Sequence, residues 1–261
     1  MIIRHQKEFD KGYNPLTFMD SPDDISCMDF GIIRLKEGDA YQNAEPKERA
    51  ILLIQGHIVL EFEGNTQEIM RSCYLNENPV CIHLPKEKNV TITAKGISEL
   101  AYQAVANPNA FEAKLITQQD CVTEEFGKNV MGETSLRRVR TVIDDSTAPY
   151  SNLVIGEVIN FPGKWSSYPP HHHVQPEVYY FRFFPEQGFG FSCEGEEVYK
   201  VYDRDTVVFK GGLVHPQVAA PGYAMYYIWM IPHTPKRWRK DRVFLKQDEW
   251  LLSKDARIWP E

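Results

Sequence analysis

Apolar positions along the chain fall in short runs of β-branched and aromatic residues, cut at intervals by Gly, Pro, Asn and Asp. The clearest are RAILLIQGHIVLEFEG (49–64), NVTITA (89–94), LVIGEVINF (153–161) and EVYYFRFF (177–184), followed by FGFSC (189–193), EVYKVYD (197–203), TVVFK (206–210) and MYYIWMI (225–231). Runs of this length and composition predict strands rather than helices. Patterns of period 3.6 are nearly missing. The best, NPNAFEAKLITQ (107–118), reads as a short helix or an irregular connection. The predicted class is all-β.

The pattern also repeats. FGIIRLKEGD (30–39) and IGEVINFPGK (155–164) each carry two glycines seven residues apart, Gly31/Gly38 and Gly156/Gly163, around an apolar strand. A polar segment with proline, a long strand and a Gly-containing turn follow in both. PVCIHLPKEKNVTITAKGISELAYQAV and DTVVFKGGLVHPQVAAPGYAMYYIWMI then correspond as strand, turn, strand, turn, strand. This order predicts two copies of one β-barrel unit, residues 1–106 and 147–261, joined by a connector, 107–146.

Composition narrows the function. The 261 residues carry 29 Lys and Arg against 36 Asp and Glu, a net charge of -7. That balance argues against nucleic acid, whose binding needs clustered basic residues. No window approaches a membrane span, and the opening MIIRHQKEFDKGYNPL lacks the features of a secretory signal. A cytosolic protein with a small-molecule substrate is expected. The five cysteines lack CxxC spacing, so free thiols are expected rather than disulfides or a zinc cluster.

The candidate chemistry lies in PPHHHVQPE (169–177) and FKGGLVHP (209–216). In an extended segment His171 and His173 share a face and His172 takes the other. Glu177, at the mouth of the following strand, has the same parity, and a Gly-Gly turn presents His215. Taken singly, each histidine is best read as a solvated or locally satisfied residue, as His57, His83 and His233 are. Taken together, three imidazoles and one carboxylate form a ligand set for a divalent transition metal with room for substrate: zinc first, manganese or iron otherwise. One carboxylate leaves a divalent ion with net positive charge, which suits polarisation of a carbonyl.

The pattern His171-x-His173-x3-Glu177 with Gly212-x2-His215 resembles the two motifs of the cupin superfamily. GKWSSYPPHHH, EVYYFRFFPEQGFGF and VHPQVAAPGYAMYYIWM are similar to segments of bacterial 5-deoxy-glucuronate isomerases of inositol catabolism. The first half and RRVRTVI (137–143) are similar too, so the resemblance covers nearly the whole chain. It implies a bicupin, two double-stranded β-helix (jelly-roll) barrels in tandem, with one metal site in the second. It also implies a metal-dependent aldose-ketose isomerase converting 5-deoxy-D-glucuronate to 2-deoxy-5-keto-D-gluconate, working as a homodimer or higher homo-oligomer. The chain departs from that family in the short gap Val174–Pro176 and in His172, which leaves the sugar open. The alternatives are a 4-deoxy-L-threo-5-hexosulose-uronate isomerase of pectin breakdown, an Fe(II) cupin dioxygenase and a non-catalytic sugar-binding cupin. Counting from the paired glycines, Pro46 and Glu48 stand where His171 and His173 do, so the first barrel is expected to lack the metal site. Isomerisation needs a proton or hydride moved between neighbouring carbons. Tyr179, which shares the parity of Glu177, is the first catalytic candidate, before Gln187, Tyr227 and Lys164; aromatic packing is an equal reading of both tyrosines. Arg182 or Lys164 is the candidate cation for the substrate carboxylate, although Arg182 has exterior parity.

Overall fold

A computed structural model describes residues 1–23, 25–233, 242–253 and 255–260. Among them the chain is β throughout, apart from short 3-10 turns at Met131–Glu133 and Lys246–Leu252. The segment 107–118 is an irregular connection that ends in the strand Lys114–Ile116. No helix among the described residues is long and apolar enough to cross a membrane.

Two compact units emerge, and their boundaries interleave. One comprises residues 1–6, 123–141 and 155–261, the other 7–122 and 142–154. These limits differ from a simple cut at the connector, and hydrogen bonding explains why. Ile2–Ile3 pairs with Thr206–Val207, far along the sequence. The connector itself contributes strands, since Val122–Phe126 and Arg137–Ile143 extend the sheet that contains Leu153–Asn160.

In the unit of residues 7–122 and 142–154, the 15-residue strand Glu48–Phe62 serves two sheet faces. Its first half pairs with Val80–Leu84 and Ser98–Val105, its second with Asn65–Arg71 and Val90–Ala94. The register shift between Leu53 and Gln55 lets it turn the barrel corner. Period-two alternation then sends Ile33 and Leu35, Ile51 and Leu53, Ile58 and Leu60, and Ile82 and Leu84 inward. Aliphatic side chains fill this barrel.

The other unit pairs a large sheet, ordered Thr206–Phe209, Glu177–Phe184, Ala224–Pro232, Leu153–Asn160, with a four-stranded sheet built on Phe189–Glu194. The first glycine of each repeated pair has the same use in both units. A Cβ on Gly31 would stand 2.5 Å from the Asn14 carbonyl, and one on Gly156 2.3 Å from the Trp229 ring. Neighbouring chain therefore crosses where only hydrogen fits.

One buried carboxylate knits the aliphatic barrel. Glu48 accepts hydrogen bonds from His83 Nε2 (2.6 Å), Ser151 Oγ (2.5 Å), Asn107 Nδ2 (2.6 Å) and the Asn152 amide (2.8 Å). Burial acts to raise its pKa, but the bonds from His83, Ser151 and Asn152 prevail and hold it below the ordinary value. A carboxyl depressed in the folded state adds stability at neutral pH that is lost as pH falls through its folded pKa. Glu48→Ala leaves these donors unmatched and is expected to cost about 3–5 kcal/mol at neutral pH. Denaturant unfolding at neutral and acidic pH checks this, and the difference between wild type and variant should shrink toward acid.

Candidate metal centre and active site

The strand Glu177–Phe184 points Glu177 and Tyr179 into the barrel and Val178 and Tyr180 away from it. The segment leading to it, 171–176, brings His171 and His173 to the same interior. Across from them Gly211, at φ +78°, packs so closely that a Cβ would lie 2.5 Å from the Val174 carbonyl. The amide of Gly212 donates to the His173 carbonyl at 2.7 Å. This turn sets His215 beside His173, just ahead of the strand Gln217–Ala219 rather than within it.

Glu177 Oε2 lies 3.1 Å from His173 Nε2 and 3.0 Å from His215 Nε2. One ligand atom from each of these three buried residues falls within 4.8 Å of the others, and this is the cluster of metal-ligating side chains found among the described residues. His171 stands outside that set but lines the same cavity, its ring edge-on to His215 with centroids 5.8 Å apart. The strand alternation holds here as expected: His171 and His173 are buried, and His172 is only partly so.

The chemistry of the donor set fits a metal. Nδ1 of His171 lies 2.9 Å from the Pro169 carbonyl, that of His173 3.1 Å from the Gln175 carbonyl, and that of His215 3.1 Å from the Leu213 carbonyl. A carbonyl can only accept, so each Nδ1 carries a proton and Nε2 is the atom each ring turns toward the cavity. Burial acts to lower the His215 pKa but its bond to Glu177 raises it above the ordinary value, and a metal ion bound by Nε2 would displace the proton shared there. Backbone carbonyls acting on the distal nitrogen are the usual support of an imidazole ligand. Burial pushes the His171 pKa down to about 3, so this ring is neutral. Burial alone would raise Glu177, but His173 and His215 pull it down to about 2, so it is ionised.

The cavity holds about 380 Å³, within the range of small-molecule sites. Tyr179 and Tyr227 stack across it with centroids 4.4 Å apart. The Tyr179 hydroxyl is 3.2 Å from Ser167 Oγ, and Tyr227 donates to Ser166 Oγ at 2.8 Å. Burial, then the charge of Glu177, raises Tyr179 well above the ordinary phenol value, and burial pushes Tyr227 up to about 12. Both are protonated donors at neutral pH.

Other expected residues fall elsewhere. Gln187 is exposed in the turn after Glu177–Phe184. Lys164 sits in the turn before Trp165–Ser166, its carbonyl accepting from Ala219, and does not line the cavity. Arg182 points to the opposite face, as its parity requires, and pairs through Nε with Asp203 at 2.9 Å. The cations that do line the cavity are Arg137 and Arg242. Arg137 escapes a motif search because it belongs to a strand of the connector; its alternation with Val139 and Thr141, all three lining the cavity, was the available signal.

Comparison with known proteins is consistent across the chain. The KduI/IolB family matches residues 1–250. A 5-deoxy-glucuronate isomerase of Bacillus licheniformis is 27% identical over 253 residues, covering 90% of this chain and 91% of that protein. The enzyme of the same name from Bacillus subtilis strain 168 is 25% identical over 255 residues, with coverage of 90% and 91%. Among solved structures, an IolB-like protein from Salmonella typhimurium LT2 superposes with a TM-score of 0.85 at 24% identity, over 97% of this chain and 99% of that one. Lactobacillus farciminis oxalate decarboxylase shares the fold, with a TM-score of 0.67 at 12% identity over 94% and 87% of the two chains.

His173→Ala removes one of the three clustered ligand atoms. Elemental analysis of the purified variant is expected to show loss of bound divalent metal, by at least the 10- to 100-fold in affinity that even supporting residues of such sites contribute. Its thermal unfolding should remain cooperative.

Proposed function

The chain belongs to the KduI/IolB family and is an isomerase, and from this premise we propose that its substrate is a deoxy-uronate, first 5-deoxy-D-glucuronate. The observation that carries the reading is the convergence of three Nε2 atoms and one ionised carboxylate beside a protonated tyrosine in a single cavity. His173, Glu177 and His215, with His171 as the fourth ligand, would hold a divalent transition metal, zinc being the first choice. Bound there, such an ion supplies Lewis-acid stabilisation of the negative charge that develops on a sugar carbonyl oxygen during isomerisation.

The chain's own groups do the rest. The Tyr179 hydroxyl adjoins Glu177 and Ser167, so it stands where a proton must pass between the substrate and the protein. Its raised pKa makes it a donor in the resting state, and Ser167 is positioned to take part in returning the proton. Tyr227, stacked on Tyr179 and tied to Ser166, holds that ring in place. Phe126, Val158 and Ile231 line the cavity with apolar surface, which limits water around the reacting carbons. The reading takes the protein to work in the cytoplasm as a homo-oligomer.

The test is an NMR assay of the metal-loaded protein with 5-deoxy-glucuronate and, separately, 4-deoxy-5-hexosulose-uronate, under strict anaerobiosis. Conversion of aldose to ketose signals with the first sugar is expected. Turnover of the second alone would transfer the assignment to pectin breakdown, while a requirement for oxygen, or inertness toward both, would end it. Tyr179→Phe is expected to lower kcat by about 10²–10⁴ while metal content stays at the wild-type level.

A further inference from the structure

Three arginines lie within the strand Arg137–Ile143, and their partners differ. Arg138 pairs with Glu125 at 3.4 Å and Arg140 with Glu157 at 3.2 Å. Arg137 is half-buried and lines the cavity, and no carboxylate lies within ion-pair distance of it among the described residues. Its Nη1 donates to the Ser135 carbonyl at 2.9 Å, its Nη2 to the Tyr168 carbonyl at 3.2 Å, and its guanidinium lies 5.5 Å from the centroid of the Phe126 ring. These contacts orient the planar fork without neutralising it. Burial disfavours its charged form, yet guanidinium stays protonated in proteins. A partly desolvated cation lacking a counter-charge is costly unless something anionic arrives. The neighbouring acid, Glu124, is exposed at the cavity's edge, and Glu177 is committed to His173 and His215.

We propose that Arg137 is the anchor for the substrate's carboxylate, gripping it through its fork while the carbonyl end of the same molecule lies at His173, Glu177 and His215. This rests on the uronate reading above. A uronate carries its carboxylate at the opposite end of the carbon chain from the aldehyde, and the cavity is lined by a cation and a carbonyl-binding cluster, with Tyr179 and Tyr227 lining it as well. Arg137 then decides that the enzyme takes sugar acids rather than neutral sugars. Bidentate carboxylate recognition is specific to the planar guanidinium, so lysine should replace it poorly.

The experiment compares wild type, Arg137→Met and Arg137→Lys, all metal-loaded, in two assays. In the first, KM and kcat are measured for 5-deoxy-glucuronate. The expected result is a KM raised about ten- to a hundredfold in Arg137→Met, with a smaller change in kcat, unaltered metal content, and an intermediate KM in Arg137→Lys. In the second, binding of D-glucuronate and of D-glucose is measured by calorimetry, which requires no turnover. Wild type should prefer the acid and Arg137→Met should lose the preference. A wild type without that preference, or a Met or Lys variant that keeps it in full, overturns the inference whether or not isomerisation is seen. An inactive wild type that still shows an Arg137-dependent preference counts against the isomerase reading alone. Should Arg137→Met fail to fold, the same two outcomes are read from Arg137→Lys.

Discussion

Everything distinctive about this protein depends on three backbone carbonyls. Those of Pro169, Gln175 and Leu213 each hold the Nδ1 proton of a histidine, and so turn three Nε2 atoms toward one side of a barrel. An imidazole free to rotate or change tautomer would find water or a neighbouring carboxylate. Here the carbonyls belong to turns that are themselves clamped, through the Gly212 amide on His173 and the close approach of Gly211 to the Val174 and Gln175 carbonyls. The ligand geometry is therefore a property of the loop backbone and precedes any ion.

The two barrels show what the same scaffold does with different interior residues. Inward positions in one unit are mostly Ile, Leu and Val, with Tyr102 and two alanines, and the space is filled. In the other, inward positions of the central strands are Glu177, Tyr179, Tyr227 and Trp229, and a cavity of about 380 Å³ remains. Glu48 marks the divergence. By count from the repeated glycines it stands where His173 does, but by strand pairing it opens the strand Glu48–Phe62 as Glu177 opens Glu177–Phe184, and its carboxylate is satisfied by His83, Asn107, Ser151 and Asn152. It works as a staple and has no lone pair left for a ligand.

Two candidates lie outside the cavity for a common reason, and a third follows its strand parity. Gln187 and Lys164 lie close in sequence to the motif but in turns at the strand ends, where side chains leave the barrel. Arg182 has exterior parity and meets Asp203. Arg137 was hidden because strand pairing across the chain is what makes 137–143 a wall of the cavity. Proximity along the chain is a poor guide to a barrel interior, whereas parity within a strand is a good one.

Sequence alone determined the all-β class and marked out the repeated glycines and the candidate set His171, His173, Glu177 and His215, because these rest on local rules: strand-length apolar runs, period-two alternation and the shared face of residues two apart. It also located Tyr179 by the same parity. Only the tertiary structure decided that His171 stands apart from the tighter group of three, that the connector supplies a cavity wall, and that no carboxylate among the described residues pairs with Arg137. Those facts depend on which strands pair and how closely loops approach. Long-range hydrogen bonding sets both, and no local pattern encodes it.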